Sequence, residues 1–242
     1  MKNKKFKRFE ELTDKCYNNM IGFEEDAGCW PQAFELMKEI VLEERQKKPD
    51  FAPELERLDD DTDFAYDFQG WLEDCLDEID MLGDYEMLLK MCDDLLNLFG
   101  WPEYTGSDLK FRKSSALNSL GRNREAAEYC KKWMQEEPDN IVAATAGVYA
   151  LIGTKEYDAA EELVRRFIPD RSQCSDDNDI IFTAASRLYE VTGKKKEKKQ
   201  VEKALDDYDK YLEKYFENLA DENEWEFDEE DFTFIDEDLP FC

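Results

Sequence analysis

Carboxylates are the most abundant reactive groups in this sequence, with 61 aspartates and glutamates against 32 lysines and arginines in 242 residues. The sequence contains no histidine, which removes the usual general base, the usual zinc ligand and every nucleophile that depends on an imidazole. Two carboxylates are able to act as acid and base, but nothing in their spacing singles out one pair. We therefore expect no catalytic residue, no metal ligand and no enzymatic activity.

One group of aspartates has a spacing that invites interpretation as a metal site. Asp59, Asp61 and Asp63 match the first ligand positions of a calcium-binding loop. Phe64 replaces the turn glycine of such a loop, and Gly70 stands where a bidentate glutamate is needed. We interpret the segment as a solvated connection between helices, with room for a short helix. The ten glycines are dispersed, so no phosphate-binding loop and no cofactor is predicted.

The cysteines indicate the cellular compartment of the protein, and the net charge indicates the kind of partner that it binds. Seven cysteines are dispersed without a C-x-x-C pair, and no apolar run follows the lysine-rich start of the sequence. These features predict reduced thiols in the cytoplasm and no membrane anchor. The formal net charge of −29 repels nucleic acids and anionic membranes. The expected partner is therefore a protein or peptide of basic character, and the oligomeric state is left open.

Apolar residues recur at helical spacing through nearly the whole sequence, which predicts an all-α fold. Turns are predicted at Gly83, Gly121, Gly153 and Gly193, each of which follows one helical stripe and precedes another, at intervals of 38, 32 and 40 residues. A two-helix unit repeated at such intervals is typical of an α-solenoid, in which each unit buries its apolar face against its neighbours. Two further helices are predicted near residues 6–20 and 31–47.

The unit at residues 107–140 carries a glycine before its second helix, a small alanine within it and a proline after it, at Gly121, Ala126 and Pro138. In these features it resembles the tetratricopeptide repeat. Residues 141–168 match the same pattern through Tyr157 and Ala160, residues 69–100 match it less closely, and residues 179–218 form a degenerate unit. The resemblance implies a domain at residues 1–218, built of antiparallel helix pairs stacked in a right-handed superhelix, and a separate tail at 219–242.

The resemblance also implies a binding surface. In tetratricopeptide repeats, peptides lie along a concave groove formed by the first helix of each pair. The corresponding positions here are Glu73, Asp77, Phe111, Ser115, Asn118, Thr145, Tyr149, Thr183 and Arg187. Acidic residues at one end disfavour a terminal carboxylate and favour an extended segment with lysine or arginine and one apolar anchor. The alternative is that these positions are ordinary solvated helix faces.

The C-terminal tail combines acidic and aromatic residues. Residues 219–242 contain eleven acidic and no basic residues, together with Trp225, Phe227, Phe232 and Phe234. A purely solubilising tail lacks such aromatics, so we expect this tail to dock on a partner or on this protein near residues 194–199, unless it is only a solvated appendage. The leading function is a protein-binding scaffold. The alternative is an acidic regulator that acts by peptide sensing, tail autoinhibition or nucleic-acid mimicry.

Overall fold

The computed structural model describes residues 4–222, and this part of the chain is all-helical, as the apolar spacing predicts. Its helices are α1 Lys4–Met20, α2 Cys29–Lys47, α3 Arg57–Asp60, α4 Phe68–Met81, α5 Tyr85–Leu98, α6 Ser107–Ser119, α7 Asn123–Glu136, α8 Ile141–Thr154, α9 Tyr157–Phe167, α10 Asp179–Val191 and α11 Lys195–Glu222. Within these residues there is no β-strand, and an isolated bridge joins Glu54 to Gly100. None of the helices described has the length and apolar character needed to cross a membrane.

Glycines follow the ends of α4, α6 and α10, where the sequence predicts turns. Gly83, Gly121 and Gly193 have φ angles of 72°, 73° and 70°, a left-handed conformation that glycine adopts without the steric cost of a Cβ. Gly153 differs, because α8 continues through it and Lys155 takes the left-handed conformation, with φ of 65°. The turn predicted at Gly153 is therefore wrong by two residues.

The segment between α2 and α4 contains the short helix α3, and its aspartates are part of the folded structure. Asp59 is only 3% exposed, so the prediction of a solvated connection is wrong for this residue. Its carboxylate accepts hydrogen bonds from the backbone N–H groups of Phe68 and Gln69, at 2.7 and 3.1 Å. The first N–H groups of a helix have no acceptor within that helix, so Asp59 stabilises the start of α4.

Helices α6, α8 and α10 lie next to one another, and each packs against the helix that follows it in the chain. Helix α7 packs against α6 and α8, α9 against α8 and α10, and α11 against α10. Towards the N-terminus, α5 packs against α4 and α6, while α1 and α2 pack against each other and against α4. In the described part of the chain, the backbone of α4 does not approach that of α6. At the level of the backbone, helix α4 therefore joins the later helices through α5.

Helix α8 contributes to two groups of buried apolar side chains. The first group contains Trp30, Trp71 and, from α8, Ala146, whereas the second contains Phe182 and, from α8, Ala144. Most residues of α8 are alanine, glycine, valine or threonine, and those at positions 143–148 are all buried. A helix that is buried on several sides needs small residues so that its neighbours can approach closely. Helix α8 therefore connects the two groups.

The cysteines within residues 4–222 are free thiols and mostly belong to the core. Those that are buried are Cys16, Cys29, Cys75, Cys92 and Cys130, and Cys174 is partly exposed. Burial raises the pKa of Cys92 to about 12 and that of Cys130 to about 11. These two thiols are therefore protonated at neutral pH and act as small apolar side chains.

Candidate functional site

A groove runs along the faces of α6, α8 and α10, and two aromatic side chains divide it. Phe111 of α6 and Tyr149 of α8 contact each other edge to face, with ring centroids 6.3 Å apart and ring planes at 82°. Both rings line two adjoining cavities, a first cavity of about 530 Å³ and a second cavity of about 440 Å³. Edge-to-face contact is a favoured arrangement of aromatic rings, so this pair forms a partition between the two cavities.

Uncharged polar groups line much of the first cavity. Ser115 and Asn118 of α6 and Asn123 at the start of α7 line it together with Ile152 of α8. The Oδ1 atom of Asn118 is buried and has no hydrogen-bond partner among the described residues. An unsatisfied buried acceptor costs about 1–3 kcal/mol. A hydrogen-bond donor that reaches this amide would therefore be bound favourably.

Gly153 brings the backbone of α8 close to the polar end of the first cavity. A Cβ atom at this position would lie 3.0 Å from Asn123 Oδ1 and 3.3 Å from Asn118 Oδ1. Both separations are shorter than ordinary contacts between side-chain carbon atoms and their neighbours. The glycine is therefore used for close approach between helices, which explains why it lies inside α8 and not at the turn that follows.

The second cavity is mainly apolar. Its lining residues are Asp108, Phe111, Val142, Thr145, Tyr149, Ile180 and Thr183. They come from three helices that are separated in sequence, and the charged group among them, Asp108, accepts a hydrogen bond from Arg112 Nε at 2.7 Å. An apolar concavity with few polar groups at its margin is suited to an apolar side chain of a ligand.

The hydroxyl of Tyr149 stays protonated at neutral pH. Burial raises the pKa of this phenol, and the nearby Arg187 guanidinium partly offsets the increase. A protonated phenol both donates and accepts hydrogen bonds. Tyr149 therefore offers a polar group to a ligand in addition to its ring face.

The structure brings together six of the nine groove residues suggested by the sequence. They line the first cavity, the second cavity or both, and are Phe111, Ser115, Asn118, Thr145, Tyr149 and Thr183. Glu73 and Asp77 lie exposed on α4, outside both cavities, and Asp77 Oδ1 accepts a hydrogen bond from Arg112 Nη1 at 2.6 Å. Arg187 lies exposed on α10, where it is paired with Glu190. The acidic residues expected at one end of the groove therefore lie outside both cavities, and the charge of Asp77 is paired with that of Arg112.

Nine of the residues that line the two cavities were not among those suggested by the sequence, and three of them, Asn123, Val142 and Ile180, show why. Asn123 belongs to α7, the second helix of its pair. The predicted groove positions were taken only from the first helix of each pair and therefore do not include it. Val142 and Ile180 are apolar, and periodicity assigns such positions to the core. A signal for Ile180 does exist, because positions 181, 182, 184, 185 and 188 already supply the buried face of α10. Ile180 falls outside that face and is 37% exposed.

The tail residues suggested by the sequence, Trp225, Phe227, Phe232 and Phe234, lie outside the described residues. Between residues 4 and 222, no group of cysteine, aspartate and glutamate side chains has an arrangement able to hold a metal ion. No protein-family model, curated protein or solved structure matches this chain. Its functional interpretation therefore depends on the geometry and chemistry of its own surfaces.

Proposed function

We propose that this protein is a binding scaffold, that its helix pairs form a tetratricopeptide-like right-handed superhelix, and that the groove on α6, α8 and α10 binds an extended segment of another protein. The order of helix contacts supports the proposal, since α6, α8 and α10 are neighbours although one helix separates each from the next in sequence. Ala126 and Ala160 are fully buried, in keeping with small residues at close helix contacts. The proposed chemistry is reversible binding without turnover.

The observation that carries the proposal is the partition of Phe111 and Tyr149 between a first cavity with polar side chains along part of its wall and a second cavity that is almost entirely apolar. An extended peptide has side chains that alternate in direction and backbone amides that need hydrogen-bond partners. A peptide that crosses the partition places one apolar side chain in the second cavity. Its backbone then passes the amide side chains of Asn118 and Asn123 in the first cavity. One groove thus supplies partners for both parts of the ligand.

The net charge favours a ligand with lysine or arginine beside its apolar anchor. A formal charge of −29 attracts cationic segments over a distance and speeds their association at low salt. Close to the groove the acidic groups are largely paired, because Arg112 donates to both Asp77 and Asp108. The preference for basic residues therefore comes from the overall field, whereas the apolar anchor supplies specificity.

A peptide-display selection on the full chain tests this proposal, with the Kd of each selected peptide measured by fluorescence anisotropy. Thr183→Trp is the blocking variant, because Thr183 is exposed at the second cavity and a large ring there occupies the anchor position. Lys131→Trp, on an exposed position of α7, is the matched control. We expect Thr183→Trp to raise the Kd by at least roughly tenfold and Lys131→Trp to change it by less than about twofold.

A second variant examines the partition itself. Phe111→Ala removes one ring of the pair, and we expect it to weaken the selected peptides by roughly tenfold or more. Thermal melts of each variant show whether the fold is retained. Equal Kd values for wild type, Thr183→Trp and Phe111→Ala would mean that the peptides bind elsewhere, and the groove would lose its assigned role.

The net charge of −29 also favours a second candidate function, in which an acidic surface imitates nucleic acid and occupies a nucleic-acid-binding protein. The salt dependence of the binding affinity distinguishes mimicry of nucleic acid from binding in the groove. Mimicry requires many ion pairs, so the logarithm of the affinity falls steeply as the logarithm of the salt concentration rises. Binding in the groove gives a shallower slope and is lost in Thr183→Trp. A steep slope with no effect of Thr183→Trp would favour mimicry.

A further inference from the structure

Helix α11 extends well beyond the helix against which it packs. It has 28 residues, whereas α10 has 13, so at about 1.5 Å per residue the two helices are about 42 and 20 Å long. Tyr208 Oη donates to Asp176 Oδ1 at 3.3 Å, in the segment that precedes α10. Beyond Tyr208, every side chain of residues 209–218 except that of Leu212 is exposed. We call residues 209–218 of α11 the overhang.

An aromatic stripe continues from the supported part of α11 onto the overhang. Tyr208, Tyr211 and Tyr215 stack in succession, with ring centroids 6.3 Å apart at each step. Phe216 contacts Tyr215 edge to face at 5.6 Å. We call these four side chains the aromatic stripe. Two of them, Tyr211 and Phe216, are each 60% exposed.

The aromatic stripe lies in line with the seam along which α11 packs on α10. Val201, which is fully buried, precedes Tyr208 by seven residues and Tyr215 by fourteen. Apolar positions that recur every seven residues face a neighbouring helix along one line. Helix α10 covers the first part of this line. Among the described helices α11 packs against α10 alone, and Tyr211, Tyr215 and Phe216 on the second part of the line are exposed, so the seam is left open at the overhang.

One edge of the aromatic stripe is acidic. Asp209, Glu213 and Glu217 follow one another at intervals of four residues, which places them in one row on the helix, beside Phe216. Within residues 4–222 none of these three carboxylates forms an ion pair. Residues 206–218 contain five acidic and two basic residues, so the surroundings do not neutralise the row. We call this row the acidic edge.

We propose that the aromatic stripe and the acidic edge form a docking surface for a helix of a partner protein, one with an apolar stripe bordered by lysine or arginine. The open seam has the spacing that a second helix needs. The acidic edge selects a cationic border, and exposed tyrosine rings attract cations over their faces. None of these residues lines the first or the second cavity, so this surface is independent of the groove.

Charge argues against the other occupants of this surface. A second copy of this chain would bring an overhang with the same excess of acidic residues, five against two basic residues at positions 206–218, against the first. Residues 223–242 carry nine acidic and no basic residues, so the tail of this protein also meets like charge. An anionic membrane is repelled for the same reason. A cationic helix complements the surface in both charge and apolar pattern.

A synthetic peptide tests the docking surface on the full chain. The probe is a fluorescent peptide of about 14 residues, made of leucine and lysine, with its leucines at the spacing of a helical seam. The comparison peptide has the same composition in strict alternation, which removes the helical stripe but keeps the charge. We expect the seam-spaced peptide to bind roughly tenfold more tightly than the alternating peptide.

The first variant removes the two most exposed rings of the aromatic stripe without changing the charge. It combines Tyr211→Ser with Phe216→Ser, and Phe64→Ser is its control, because Phe64 is 72% exposed in the segment between α3 and α4. We expect the double variant to raise the Kd of the seam-spaced peptide by roughly tenfold and the control to change it by less than about twofold. Circular dichroism establishes that the helical content is retained.

The second variant removes the acidic edge, with Asp209→Asn, Glu213→Gln and Glu217→Gln together. Its control makes the same change of charge at exposed positions of other helices, with Asp80→Asn, Glu128→Gln and Glu162→Gln. We expect the edge variant to weaken the seam-spaced peptide by at least about threefold and to reduce the salt dependence, whereas the control changes the Kd by less than about twofold.

Several outcomes would overturn the proposal. Equal binding of the two peptides, or equal losses in the variants and their controls, would show that only net charge attracts the probe. A dimer in sedimentation that the stripe variant abolishes would assign the surface to a second copy. Faster hydrogen exchange in the overhang after removal of residues 223–242 would assign it to the tail. Slower exchange at residues 209–218 on addition of the seam-spaced peptide, retained in Thr183→Trp, supports docking on α11.

Discussion

Helix α8 is apolar around most of its surface and α11 carries one apolar stripe, but neighbours enclose α8 and leave the end of α11 open. At Gly147 of α8 a Cβ atom would lie 2.9 Å from Met134 Sδ and 3.1 Å from Leu163 Cδ2, so α7 and α9 reach its backbone. In α11, Val201 is fully buried whereas Phe216 is 60% exposed. An apolar stripe stabilises the fold only where another element covers it, and the uncovered remainder is a surface for binding.

The largest expected effect on stability comes from replacing one aromatic residue by alanine in the enclosed region around α8 and, for comparison, one at the open end of α11. Phe182 of α10 is fully buried beside α8, while Tyr215 of the overhang is 47% exposed. We expect Phe182→Ala to lower the free energy of unfolding by about 3–5 kcal/mol and Tyr215→Ala by less than about 1 kcal/mol. Urea denaturation followed by circular dichroism measures both. Similar losses would mean that the overhang is supported in solution.

Replacing alanine by leucine at a buried and at an exposed position tests the same contrast between covered and uncovered helix surface, because the larger side chain overpacks only the buried position. Ala126 of α7 is fully buried, whereas Ala159 of α9 is exposed. We expect Ala126→Leu to cost about 1–3 kcal/mol, because the helix contact has no space for a longer side chain. Ala159→Leu should stay within about 0.5 kcal/mol of wild type. A thermal melt of Ala126→Leu that matches wild type would show that the assumed helix contact is wrong.

Acid should weaken the supported start of α11 but not the overhang. Glu161 of α9 accepts hydrogen bonds from Lys194 and, at 3.0 Å, from Arg165, and these interactions, led by Lys194, lower its pKa below the usual 4.5. A lowered pKa in the folded state stabilises the fold above about pH 4.5, and this stabilisation is lost as the pH falls through the folded-state value.

We therefore expect Glu161→Gln to be less stable than wild type at neutral pH, by on the order of 1 kcal/mol. Urea denaturation should show the difference shrinking as the pH falls below about 4.5. Glu162→Gln, at an exposed neighbouring position, is the control and should show no such trend. A difference for Glu161→Gln that persists at low pH would contradict the assigned ion pairs.

The smallest expected effect on stability is that of Gly153→Ala. A methyl group there crowds Asn123 and Asn118, but alanine favours a helix over glycine by up to about 1 kcal/mol. The two effects oppose each other, so the free energy of unfolding should change by less than about 1 kcal/mol. The side-chain amide signals of the two asparagines should shift in NMR spectra. A loss above about 2 kcal/mol would mean that these amides are held rigidly.

The helices could be predicted well because they depend on neighbours along the chain. Apolar spacing located α1, α2 and the later pairs, and left-handed glycines explain the turns at Gly83, Gly121 and Gly193. Gly153 misled the prediction because a glycine is used either for its backbone conformation or for the space around it. The sequence pattern does not distinguish these uses, and Lys155 forms the turn instead.

The candidate site was predictable only in part. The register of first helices found Phe111 and Tyr149, because residues on one helix face keep a regular spacing. The same register placed Glu73 and Asp77 in the groove, yet α5 separates the backbone of α4 from that of α6. Asn123 contributes from a second helix, so no pattern within the first helices predicts it.

The sequence by itself determined that the chain forms helices, that its cysteines are dispersed without a C-x-x-C pair and that its overall field is strongly negative. These properties follow from residue types and from spacings of a few residues. Only the tertiary structure decided that Asp59 caps α4, that Phe111 meets Tyr149 across two helices, and that within residues 4–222 no helix covers the end of α11. Each of these features depends on segments that are distant in sequence and meet only when the helices pack.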